Sequence, residues 1–153
     1  IAMHYFSYGD LDKAEDSFRE AIKANPYLNV NQSYLGKVFE KKGELDSAKY
    51  YTKYAFDKMP NNPVHFAHYL QVLVRNYDTV AIKQAYQKVI YKERDSRFQK
   101  LYLLAMSNLL DKDEGRMVIN DIKQSQLEND GLKGSYYILK LGKEKVTEGY
   151  VNY

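Results

Sequence analysis

Two histidines, His65 and His68, stand three residues apart, and on an α-helix that spacing carries both imidazoles to one side, where they could share a metal ion. Such a site wants three or four arranged ligands, and no third His, Cys or carboxylate stands close by in the sequence. The imidazoles are therefore read as ordinary helix residues, with His68 toward a groove and His65 on the helix flank. Four carboxylates, Asp10, Asp12, Glu15 and Asp16, crowd a second short stretch, the kind of grouping that general acid–base catalysis exploits. They sit where a helical pattern begins, however, and there the helix dipole alone favours negative charge. No Cys offers a nucleophile, and neither a Gly-rich phosphate loop nor a G-x-S-x-G elbow occurs. The expectation is a chain that is not an enzyme, with no cofactor and no bound metal.

The elements that carry these residues follow an internal period of 34, in which Gly9 recurs as Gly43, Leu11 as Leu45, Ala14 as Ala48, Ala21 as Ala55, Ile22 as Phe56 and Pro26 as Pro60. Ile1, Leu35 and Tyr69 fall one period apart, as do Tyr5, Phe39 and Leu73, while Ala2 matches Gly36 and then Leu70. Leu11, Ala14, Phe18, Ala21 and Ile22 lie on one helical face, which must be buried, and Ile82, Tyr86, Val89 and Ile90 continue its columns in the third copy. Gly9 and Gly43 suit the left-handed residue that closes a helix, Asp10 and Asp78 suit N-caps, and Asn62-Pro63 reads as a cap with Pro in the first helical position. In the third copy Tyr77 replaces the Gly, and Asn76, more tolerant of the left-handed region, is expected to make the turn one residue early. Leu70 and Val89, bulkier than their counterparts, should hold that pair of helices further apart.

These residues make the resemblance to the tetratricopeptide-repeat family. The second copy supplies Leu35-Gly36, Phe39, Gly43-Glu44, Ala48, Ala55 and Pro60, with Thr52 in the column of the helix-B aromatic and Tyr51 beside it. The first supplies Ala2, Tyr5, Gly9-Asp10, Ala14, Phe18, Ala21 and Pro26. The resemblance implies an all-α, right-handed superhelical solenoid of antiparallel helix pairs, with about four repeats and a C-terminal cap, in a single domain. Repeats are placed at 1–28, 29–62, 63–96 and, divergently, 97–130, with the capping segment at 131–153. In the fourth, an apolar helix over 98–110 is expected to pair with one over 114–127.

A solenoid of this kind leaves one curved wall free, made by the first helix of each pair. On it the second copy is expected to present Tyr34, Lys37 and Lys41 along with Ser33 and Glu40. The third would present His68, Gln71 and Arg75 with Ala67 and Val74, and the fourth Tyr102, Met106 and Leu109. That wall suits a protein or peptide partner with an acidic side and one or two apolar anchors. Some members of the family clamp a chaperone's terminal carboxylate, but the matching columns hold Met3, Tyr34, Val64 and His68 and do not reproduce the clamp. The function expected is a protein-interaction scaffold, one module of a larger bacterial protein. The alternatives are a soluble accessory domain of a membrane-bound envelope enzyme and an RNA-binding helical repeat.

Bulk composition fits a folded domain of 153 residues, 44% of them hydrophobic and 28% charged. Its charge of +3, from 23 basic and 20 acidic residues, leaves no footprint for nucleic acid, and no apolar run is long enough to cross a bilayer. The absence of Cys excludes disulfides and thiolate metal sites and fits a reducing or an oxidising compartment alike. The chain opens on Ile1 within an amphipathic pattern, without the features of a signal peptide, so it reads as a piece of something longer. Sixteen Tyr and no Trp set it apart. Tyr5, Tyr69 and Tyr86 fall in core columns, whereas Tyr34, Tyr50, Tyr54 and Tyr102 are candidates for solvent or a partner.

Overall fold

A computed structural model describes residues 1–107, and these are helical, with no strand among them. The chain divides into two compact units, Ile1–Met59 and a second that begins at Pro60.

The first unit holds α1 (Ala2–Tyr8), α2 (Leu11–Ala24), α3 (Val30–Lys42) and α4 (Leu45–Lys58), each packed on the helix before it. Gly9 closes α1 at φ 78° and Gly43 closes α3 at φ 80°, the left-handed region where a side chain is strained. The next amide then bonds back into the helix, Asp10 N to Tyr5 O at 3.0 Å and Glu44 N to Phe39 O at 2.9 Å. Asp10 also caps α2, its carboxylate accepting from Lys13 N at 3.2 Å. Buried between the helices are Ala14 and Phe18 of α2, Leu35, Val38 and Phe39 of α3, and Ala48, Ala55 and Phe56 of α4. The inward face expected of α2 is only partly covered, because Leu11, Ala21 and Ile22 are half-buried. Running antiparallel from the Gly9 turn, the seven residues of α1 end before Ala21 and Ile22. Ile1, expected in a core column, is 91% exposed.

In the second unit α5 (Pro63–Arg75) and α6 (Thr79–Lys88) are followed by a 3-10 turn (Ile90–Glu93) and α7 (Ser96–Ser107). Asn62 caps α5, its side-chain oxygen accepting from Val64 N at 2.9 Å, with Pro63 in the first turn. The turn after α5 corrects one expectation: Tyr77, not Asn76, takes the left-handed conformation, at φ 55° against −91°. Register explains it. The closing bond from Asp78 N to Leu73 O, 3.0 Å, matches those at Asp10 and Glu44 and demands the left-handed residue directly before Asp78. Asn76 instead donates its side-chain amide to Val72 O at 3.2 Å.

A second correction concerns the end of α6. The repeat pattern carries this helix through Ile90, yet it stops at Lys88, four residues short of the 14-residue α2 and α4. Val89 turns extended with its side chain buried, and Ile90 swings out to 75% exposure. Asn61 holds the break, because its side-chain oxygen accepts from Ile90 N at 3.0 Å and Tyr91 N at 3.3 Å. α5 and α6 share much less close contact than α3 and α4, and α7 fills in beside α5 with Phe98, Leu101, Leu104 and Ala105. The expected helix over 114–127 and the capping segment at 131–153 lie outside the described residues, as does Leu109.

Candidate interaction surface

The candidate residues of the first unit lie on α3, whose position is set by a backbone-close contact with α4. A Cβ on Gly36 would stand 2.5 Å from Thr52 Cγ2 and 2.9 Å from Thr52 N, so only glycine fits there and only a short side chain fits opposite. The Thr52 hydroxyl is satisfied on its own helix, donating to Ala48 O at 2.7 Å. The aromatic displaced from this column is Tyr51, which stacks on Phe39 at 5.6 Å.

α3 then turns Tyr34, Lys37 and Lys41 toward one side. Tyr34 lies parallel to Phe18 at 6.0 Å and edge-on to Phe6 at 6.2 Å, and burial pushes its phenol above the usual range. The Lys41 ammonium stands 4.2 Å over the Phe6 ring, and burial lowers its pKa against the opposing charge of Glu40. Lys37 pairs with Glu40 at 3.1 Å, and both side chains are almost wholly buried. The expectation of an open, solvated wall therefore fails for Lys37, Ser33 and Glu40, which are buried, and for Tyr34 and Lys41, which are half-buried. In the paired ions each charge replaces the water the other has lost, which lets them be enclosed.

The second unit repeats the correction. His68 is 7% exposed and Gln71 2%, His65 is also buried rather than flanking, and Arg75 is half-buried at the end of α5. Ala67 and Val74 are buried as well. Tyr102 on α7 stacks on Tyr86 at 4.3 Å, nearly parallel, and Phe66 meets Tyr86 at 6.4 Å and Phe98 at 5.4 Å, so Tyr102 belongs to an aromatic cluster, while Met106 is half-buried. Of the tyrosines set aside for solvent or a partner, only Tyr50 and Tyr54 are exposed, one turn apart on α4. Tyr69 is buried as expected, while Tyr5 and Tyr86 are half-buried.

The carboxylates at the start of α2 do more than cap. Lys42 of α3 reaches Asp12 at 2.8 Å and Glu15 at 3.0 Å, and these two hydrogen bonds raise its pKa. Desolvation alone would raise the Glu15 carboxyl, but hydrogen bonds from Lys42 and Arg19 outweigh it and hold the group below the usual carboxylate range. Arg19 bonds Glu15 at 3.0 Å and the Tyr51 hydroxyl at 3.3 Å, with its guanidinium over the Phe39 ring at 5.5 Å. One chain of charges thus joins α2 to both α3 and α4. Sequence reading missed it, although Lys42 and Arg19 stood in view, because no local spacing connects residue 42 to residues 12 and 15. Among the described residues no group of three or more His, Asp or Glu could hold a metal.

Comparison with protein families, with curated proteins and with solved structures finds no match for this chain.

Proposed function

We propose that the chain is a tetratricopeptide-like helical repeat acting as a protein-interaction scaffold, with the first helix of each pair supplying the recognition face. What carries the reading is one feature repeated three times at intervals of 34 residues: a left-handed residue at Gly9, Gly43 and Tyr77, followed by an amide bonded back to the residue five before it. A hairpin turn rebuilt at a fixed interval is the mark of a helical repeat, and helical repeats act through extended surfaces. The class of partner follows from Lys41 of the first unit, a half-buried cation on the first helix of its pair. Its ammonium stands over the Phe6 ring, and a cation beside an aromatic suits an acidic peptide with apolar anchors.

An array of acidic peptides carrying one or two apolar residues, probed with the full chain, tests this. Binding that falls about tenfold with Lys41→Glu supports the reading. Binding that follows peptide charge alone, or that survives the substitution, counts against it.

A further inference from the structure

The place where α6 departs from the repeat has the makings of a second surface. We propose that the Ile90–Glu93 turn is a docking tip for an anionic lipid bilayer, placing Ile90 and Tyr91 in the headgroup region while basic residues around them meet the lipid phosphates.

Three observations carry this. Ile90 is 75% exposed and Tyr91 48%, side by side, at a point where the repeat pattern would have buried the isoleucine. The exposure is built in rather than loose, since Asn61 accepts hydrogen bonds from both backbone amides and so fixes the turn with these side chains outward. The surroundings are basic: between residues 88 and 97 stand Lys88, Lys92, Arg94 and Arg97 against Glu93 and Asp95. Asp95 is neutralised by a two-pronged bond from Arg97, at 2.7 Å and 3.0 Å, while Lys88 and Arg94, which precede and follow the apolar pair in the sequence, are exposed. Lys92 stays at the base of the turn, donating to the carbonyls of Gln87 and Val89.

An apolar pair flanked by cations on an exposed turn fits a flat, yielding, negatively charged surface. An acidic protein would need a pocket to receive the same tip. Peripheral docking asks for no spanning helix, and among the described residues none is long and apolar enough to cross a membrane.

The chain contains no Trp, so Ile90→Trp places a single indole at the tip of the otherwise intact protein. Its emission should shift to the blue on adding vesicles of mixed phosphatidylcholine and phosphatidylglycerol. The shift should be lost with phosphatidylcholine alone and weaken as salt is raised. An indole at Val80, exposed near the other end of α6, should not respond. In a sedimentation assay with the same vesicles, Ile90→Ser combined with Tyr91→Ser should bind about tenfold more weakly than the unaltered chain. The proposal is overturned by an unshifted indole at position 90, by undiminished sedimentation of the double variant, or by an equal shift with soluble polyglutamate, which would assign the tip to an acidic protein.

Discussion

Tyr77 occupies a conformation that glycine occupies at both equivalent turns, and its strain is measurable. A non-glycine residue in the left-handed region costs about 1 kcal/mol or more. Tyr77→Gly should therefore be more stable than Tyr77→Ala by about 1 kcal/mol in urea denaturation, a comparison in which both variants lose the ring. Gly36 presents the opposite case. Gly36→Ala drives a methyl into Thr52 and should cost about 1 to 3 kcal/mol. Combining it with Thr52→Ser, which removes Cγ2, should recover only part of the loss, because the Thr52 backbone nitrogen is also in the way. Full recovery would mean that the close approach is made by side chain alone. The glycine at position 36 could be read as a contact residue from its column, but its opposite number could not, since Thr52 stood where an aromatic was expected.

At the scale of the element, the hairpin turns were legible because their chemistry is local. Gly9, Gly43, Asp10, Asp78 and Asn62-Pro63 each act within about one helical turn of their own position. Asp78→Ala removes the acceptor of the Ala81 amide, 3.0 Å away, and should lower the thermal midpoint by an amount corresponding to about 1 kcal/mol. The early end of α6 was not legible, because periodicity kept Ile90 in an inward column while the group that overrides it, Asn61, lies about thirty residues away in sequence. The same limit explains Lys37 and Glu40. Reading the helix as a wheel put them on an outer face, and only their pairing at 3.1 Å shows how charged residues can lie buried there.

For the molecule as a whole, the charge chain from Asp12 through Lys42, Glu15 and Arg19 to Tyr51 makes stability depend on pH. Glu15 binds its proton more weakly folded than unfolded, as does Asp95, held low chiefly by its hydrogen bond from Arg97. Their contribution is present above the ordinary carboxylate pKa and is lost as pH falls through the lowered folded values. Glu15→Gln should be less stable than the unaltered chain near neutrality, and the gap should close below about pH 4. A gap that stays constant with pH would show that the ion pairing adds nothing. The helical class and the repeat interval could be read from the chain because they rest on short-range periodicity, whereas this network joins residues from three helices.

Finally, α1 contributes no buried residue and rests chiefly on α2, with Phe6 reaching Tyr34 and Lys41 of α3, and every helix of the first unit leans chiefly on its neighbours in the chain. Such an arrangement opens from its margin like a zip: backbone amides of α1 should exchange with deuterium soonest, those of α2 later, and those at the α3–α4 seam last.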